Sequence, residues 1–227
     1  MNEMNANLIP QNDVTIKMQN ALIMVLADMV ERRDQSTGDH IRKTASYCTI
    51  IADEMAKKGY YKDILTEEYV QNTISAAPLH DIGKIAIPDA VLNKPGKLTD
   101  EEFEKMKTHT VVSGEVISKI MDRMKGAEVT YLPIARDVAL YHHEKWNGKG
   151  YPKGLKGEEI PLCARIMAVA DVFDALTSER SYKKPFPLEK AISIIEEGAG
   201  EHFDPLVVDA FKSALDDIKM ILETFSA

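Results

Sequence analysis

The sequence predicts an all-α fold: one compact domain of about eight or nine helices. Three observations carry this. Apolar residues recur at three- and four-residue spacing along almost the whole chain. No stretch alternates with period two, and no hairpin turn joins two β-rich runs. Helix start signals and breakers cut the chain into pieces of helical length.

In order along the chain, residues 1–13 are polar and read as an arm, with one domain over 14–227. Ile16, Ala21, Leu22, Val25, Leu26 and Met29 give the first helical stripe. This helix is a linker, a dimerisation helix, or an element packed on the core. Ile50, Ile51 and Met55 mark the next helix. Pro88 and Lys94-Pro95-Gly96-Lys97 break the pattern. Thr99-Asp100-Glu101-Glu102 has the spacing of a capping box, followed by Phe103, Met106, Val112, Val116, Ile117 and Ile120 on one face. Asn147 to Gly157 holds four glycines and a proline and reads as a loop. Leu162 to Leu176 is apolar on most faces, as a central helix must be. Asp204-Pro205 supplies an N-cap and a first-turn proline for a last helix carrying Val207, Val208, Phe211, Leu215, Ile218 and Leu222.

Composition narrows the function. The 227 residues are 44% hydrophobic and 28% charged, which suits a globular domain with a full core and not a disordered chain. No apolar run approaches the ~20 residues of a membrane span, and no secretory signal stands at the start. Cys48 and Cys163 are isolated in apolar helical contexts, as buried thiols of a cytoplasmic protein would be. A net charge of -8 argues against a nucleic-acid polymer as partner. An anionic small substrate stays compatible if metals or local Lys and Arg invert the field.

The chemistry rests on six histidines. His80 precedes Asp81, and His142 and His143 are adjacent. His40 and His109 each adjoin helix-forming stretches. Asp171 interrupts the apolar helix, where a carboxylate is costly to bury unless it is paired or ligates a metal. Imidazole nitrogens with carboxylate oxygens suit Fe, Mn, Ni, Co or Zn. Without a cysteine cluster, a structural zinc knuckle is excluded. Each residue alone is a weak signal; the ordered set is a specific one.

His80-Asp81-Ile82-Gly83-Lys84 resembles the signature of the HD superfamily of metal-dependent phosphohydrolases. His142-His143-Glu144, Asn147-Gly148 and Gly150-Tyr151-Pro152 resemble the second signature of its HD-GYP subfamily, and Asp171 to Thr177 resembles the later helix of that subfamily. Leu92 to Thr99 and His202-Phe203-Asp204-Pro205 also fit, so the likeness spans about Asp28 to Phe211. It implies an all-α fold around a buried metal cluster and hydrolysis of cyclic di-GMP by attack of a metal-bridging hydroxide. The implied ligands are His40, His80, Asp81, His109, His142, His143 and Asp171, with Asp81 bridging. Asp81 and Lys84 are the implied catalytic residues. Asp34, Lys84, Gly150, Tyr151, Asp174, Arg180 and Lys183 are the implied substrate contacts, with Asp174 orienting either a ligand or the substrate. His202 is expected to be structural.

One departure bears on the metal count. Family members with three metals carry a glutamate four residues before the first histidine, where this chain has Ser36. A hydroxyl is a poor ligand, so two divalent metals are expected, Fe or Mn foremost, with linear pGpG as the main product, further breakdown to GMP as the alternative, and His40 peripheral or close to substrate. Two such ions, less Asp81, Asp171 and a hydroxide, leave roughly +1 at the site. Two other readings remain open: action on another cyclic dinucleotide such as cyclic GMP-AMP, and a metal-bearing adaptor with little turnover. The resemblance further implies docking of a diguanylate cyclase domain on the Gly-Tyr-Pro loop. A homodimer through the N-terminal helix is a further expectation.

Overall fold

The structure is a computed structural model that describes residues 21–22, 25–34, 39–124, 129–179 and 184–226. The expected arm over 1–13 lies outside the described residues. Among the described residues nine α-helices with defined bounds follow one another: α1 His40–Lys57, α2 Glu67–Ala76, α3 Asp89–Leu92, α4 Asp100–Arg123, α5 Tyr131–Tyr141, α6 Leu162–Thr177, α7 Leu188–Glu197, α8 Pro205–Ser213 and α9 Leu215–Ser226. Residues 25–31 are also helical. Among the described residues there is no strand, only the isolated bridges Asn147–Lys156 and Ala199–Phe203. The expected all-α class therefore holds. No helix among the described residues is long and apolar enough to cross a membrane.

Helix α6 is the axis of the molecule. Every residue from Leu162 to Ala170 is buried, as a run apolar but for Arg165 requires, and Arg165 is paired with Asp204. Helix α1 packs along it and also meets α8 and α9. Phe173 of α6 links them, with its ring 5.3 Å from Tyr47 of α1 and 5.0 Å from Phe211 of α8, both edge to face. Burying each such aromatic contributes about 1.5–3 kcal/mol. Cys48 and Cys163 are free and buried in this core. On the other side α5 packs against α2 and α4, closing the layer that holds the histidines.

The start signals do what their sequence says. Thr99 Oγ1 accepts from the Glu102 amide at 3.3 Å, and the Glu102 carboxylate accepts from the Thr99 amide at 2.7 Å, a complete capping box. Asp204 caps α8 through the Leu206 amide at 2.8 Å and also binds Arg165 at 2.7 Å inside the core. One expectation is corrected. The last apolar stripe is two helices, α8 and α9, divided at Ala214, whose amide turns back to Ala210 and Phe211 carbonyls. Neither glycine nor proline marks that break, so the periodicity runs through it. The first helical segment packs by Ala27 and Val30, while Leu22, Val25, Leu26 and Met29 stay exposed.

Candidate metal centre

Five segments of the chain converge on one buried point. His40 is the first residue of α1. His80 and Asp81 lie between two short 3-10 turns, Ala77–Leu79 and Ile82–Ala86. His109 sits in the middle of α4, and His142 and His143 follow the last turn of α5. Asp171 lies where α6 leaves its fully buried stretch. Gly83 explains the close fit of two of these. A Cβ there would lie 2.0 Å from the His109 carbonyl oxygen, and the Gly83 amide donates to Ser113 Oγ at 2.7 Å. The His80-Asp81 turn thus lies flat on α4.

The second ring nitrogens fix the tautomers. Nδ1 of His80 bonds the Ala77 carbonyl at 2.8 Å, Nδ1 of His109 the Met106 carbonyl at 2.8 Å, and Nδ1 of His142 the Val138 carbonyl at 3.0 Å. A carbonyl can only accept, so each Nδ1 carries a proton, and Nε2 is the ring atom left to offer a lone pair when the ring is neutral. His40 is held the same way by Asp174, at 2.7 Å. Such outward anchoring is how metal-binding imidazoles are oriented.

The Nε2 atoms then meet Asp81. Its Oδ1 faces His109 Nε2 at 3.1 Å and His142 Nε2 at 3.6 Å, whereas its Oδ2 faces His80 Nε2 at 3.3 Å. One group, Asp81, His109, His142 and His143, places a ligand atom from each residue within 4.8 Å of the others, and a second group, His40, His80 and Asp81, does the same. Asp81 is common to both. Asp81 Oδ1, His109 Nε2 and His142 Nε2 are buried and make no hydrogen bond, despite their closeness. Buried polar atoms without partners are costly, and a divalent cation would satisfy all three. The residues present therefore fit a metal. Asp171 is outside the two tight groups, with Oδ1 3.6 Å from His40 Nε2.

Charge agrees with this. Burial would raise the Asp81 carboxyl, but Lys84, His80 and His109 hold it well below the usual range. Burial alone would lower His80, yet Asp81 and Asp171 push it up to about 9. Burial lowers His142, and burial with the neighbouring His142 lowers His143 further. The lowered His142 and His143 and the ionised Asp81 are already in the form that ligates, whereas His80 would give up a proton to a cation binding there.

The remaining expected residues fall around this cluster. Lys84 Nζ lies 2.8 Å from Asp81 Oδ2 and 2.5 Å from Asp34 Oδ2, so the lysine bridges the cluster to the Arg32–Asp34 turn. Arg33 pins that turn by donating to the Ile85 carbonyl at 2.9 Å and to Asp89 at 2.7 Å. Tyr151 packs on His143, ring centroids 4.8 Å apart. Asp174 is 1% exposed and holds His40 through Nδ1. Gly150 packs closely on its own loop: a Cβ there would lie 2.3 Å from the Lys145 nitrogen. His202 stacks flat on Phe203 at 4.2 Å and is pushed down to about 4 by burial and by Lys145, in keeping with a structural role. Ser36, Arg180 and Lys183 lie outside the described residues.

Two residues carry more than their sequence shows. Glu144 is buried, and its carboxylate accepts three backbone amides, Lys153 at 2.7 Å, Gly154 at 3.0 Å and Leu155 at 3.1 Å. It locks the loop to the end of α5. Its place beside His142-His143 was the one available signal. Lys43 Nζ lies 3.9 Å from Asp174 and 3.2 Å from Ser178 Oγ, behind His40. A lysine three residues into an amphipathic helix gives no such signal.

Comparison with known proteins places the chain among relatives. A family model described as an HD domain matches residues 24–207. A cyclic di-GMP phosphodiesterase of Vibrio cholerae is 48% identical, over 88% of this chain and 40% of the relative. A 3'3'-cGAMP-specific phosphodiesterase of the same organism is 38% identical, over 86% of this chain and 35% of the relative. Among solved structures, a cyclic GMP-AMP specific phosphodiesterase of V. cholerae superposes with a TM-score of 0.55 at 20% identity, over 91% of this chain and 51% of that one, so the fold is shared. The chain spans less than half the length of the curated relatives it matches.

Proposed function

The chain belongs to the HD-domain family, and on that premise we propose that it is a metal-dependent phosphodiesterase that hydrolyses cyclic di-GMP to linear pGpG. The observation that carries the proposal is Asp81, whose two oxygens face two separate histidine groups. That arrangement suits a carboxylate shared by two divalent cations, Fe or Mn. Bound there, such ions would polarise a phosphodiester and lower the pKa of a water.

The chain's own residues supply the rest. His80, His109 and His142 present Nε2 because helix and turn carbonyls hold Nδ1. Asp174 does the same for His40. Lys84 carries its positive charge to the edge of the cluster, where a phosphate oxygen can replace Asp34 as its partner. Its own pKa is raised, because Asp81 and Asp34 outweigh the effect of burial, so the ammonium form persists. Tyr151 closes the His143 side. Arg180 and Lys183 are proposed as further substrate contacts on the strength of their place in the sequence.

A second reading, hydrolysis of cyclic GMP-AMP, is favoured by the relative of that specificity. One experiment separates the readings. The protein is reconstituted anaerobically with Fe(II) or Mn(II) and incubated with each cyclic dinucleotide; products are separated and bound metal is counted. pGpG with about two metals per chain supports the proposal, and Asp81→Ala should remove both metal and turnover. Selective loss of cyclic GMP-AMP would favour the second reading, and no product from either would leave the metal centre with a binding role.

A further inference from the structure

Outward from His143, the site ends in a corner of two rings and a cation. Tyr151 lies on the His143 ring. Phe103 stands nearly perpendicular to Tyr151, with centroids 6.3 Å apart and an interplanar angle of 84°. Lys107 Nζ sits in the angle between them, 5.5 Å from the Phe103 centroid and 5.7 Å from that of Tyr151. Phe103 and Lys107 are four residues apart on α4 and so share one of its faces, and the same helix carries His109 two residues on.

Phe103 is 48% exposed, although it adjoins the buried cluster. The fold gains little from a large aromatic left half in water. Lys107 is paired with Glu104, whose side chain is 69% exposed. A surface pair of this kind is screened by water and easily exchanged. The corner therefore offers an aromatic face and a replaceable donor within one side chain of the metal ligands.

We propose that Phe103, Lys107 and Tyr151 form a purine-base subsite that sets which cyclic dinucleotide is used. Phe103 supplies the stacking face, which any base can occupy. Lys107 donates to the base edge. Guanine presents two adjacent acceptors, O6 and N7, whereas adenine replaces O6 with an amino donor, so an ammonium there selects guanine. Tyr151 holds Phe103 and Lys107 at a fixed angle and separates the base from His143. This inference rests on the phosphodiesterase reading above and adds Phe103 and Lys107 to it.

The test uses the full chain reconstituted with Mn(II) and three substrates: cyclic di-GMP, cyclic di-AMP and bis(p-nitrophenyl) phosphate, a small diester without a nucleobase. Phe103→Ala should raise KM for cyclic di-GMP about tenfold, in line with loss of one base stack, with kcat falling far less and bound metal unaltered. Phe103→Trp should restore KM. Lys107→Met should lower the preference for cyclic di-GMP over cyclic di-AMP about tenfold. Wild-type KM and preference in Phe103→Ala and Lys107→Met, with an active parent, would overturn the subsite while leaving the phosphodiesterase reading intact. A parent that splits the small diester but no cyclic dinucleotide would overturn that reading, and the subsite with it.

Discussion

His40 shows how much of the centre is built by atoms that never touch a metal. Its Nδ1 is held at 2.7 Å by Asp174, and Asp174 is held in turn by Ser178 Oγ at 3.0 Å and by Lys43 from the far side. Without the carboxylate, the imidazole is free to rotate and to change tautomer, and the Lys43 ammonium loses its counter-charge. Partners of this kind typically contribute 10–100-fold to metal affinity. Asp174→Ala should weaken metal binding by about that factor, and Asp174→Asn by less, because the amide oxygen still accepts from Nδ1–H. Competition with a coloured chelator reads the affinity, and an unchanged far-ultraviolet dichroism spectrum shows that the helices persist. Equal affinity in Asp174→Ala and the parent would mean that packing alone orients His40.

At the scale of elements, two glycines, Gly83 packed against α4 and Gly114 within it, make opposite demands. A Cβ on Gly83 meets backbone, the His109 carbonyl oxygen at 2.0 Å and the Ser113 nitrogen at 2.6 Å. A Cβ on Gly114 meets the Leu140 side chain at 2.5 Å, which can change rotamer. Gly83→Ala should push the His80-Asp81 turn off α4, cost more than the ~1–3 kcal/mol of ordinary overpacking, and release metal. Gly114→Ala should keep its metal, since better helix propensity, about 1 kcal/mol, offsets part of the crowding. Urea melts and bound-metal counts on both variants check this. The loop after α5 depends on Glu144 in a different way. Its three amide bonds converge on a buried charge, so Glu144→Ala should cost about 3 kcal/mol. Trypsin should then cut at Lys149, Lys153 or Lys156 of the folded protein. Sequence and structure agree where local chemistry decides an element, as in the Thr99 and Asp204 caps. They differ at Ala214, where Leu215 and Ile218 continue the apolar period across a break that tertiary packing imposes.

For the molecule as a whole, the legible and illegible parts of the site divide on the same physical line. Histidines are rare in this chain and stand in the order of the family signature, so His40, His80, Asp81, His109, His142 and His143, which the fold brings together, could be named in advance as candidate ligands. Asp171 could be named because a carboxylate in an apolar helix needs a reason. Lys43 and Glu144 are ordinary residues in sequence, and only the approach of α1 to α6 and of the loop to α5 gives them a part; the base subsite proposed at Phe103 likewise depends on the approach of α4 to Tyr151. That same convergence would make a bound metal a staple. His40 comes from α1, His80 and Asp81 from the turn after α2, His109 from α4, His142 and His143 from the end of α5, and Asp171 from α6. A cation that binds these ligands only when the helices are assembled stabilises the folded state by mass action, about 2.7 kcal/mol at a hundredfold excess over Kd. For a chain of this size that corresponds to roughly 5–10 °C in Tm. Adding a chelator to the reconstituted protein should lower Tm by that amount, and Asp81→Ala should melt at the same temperature with or without it. A Tm indifferent to chelator in the parent would show that the helices assemble fully without the ion and that the five segments are held by the α1–α6 core alone.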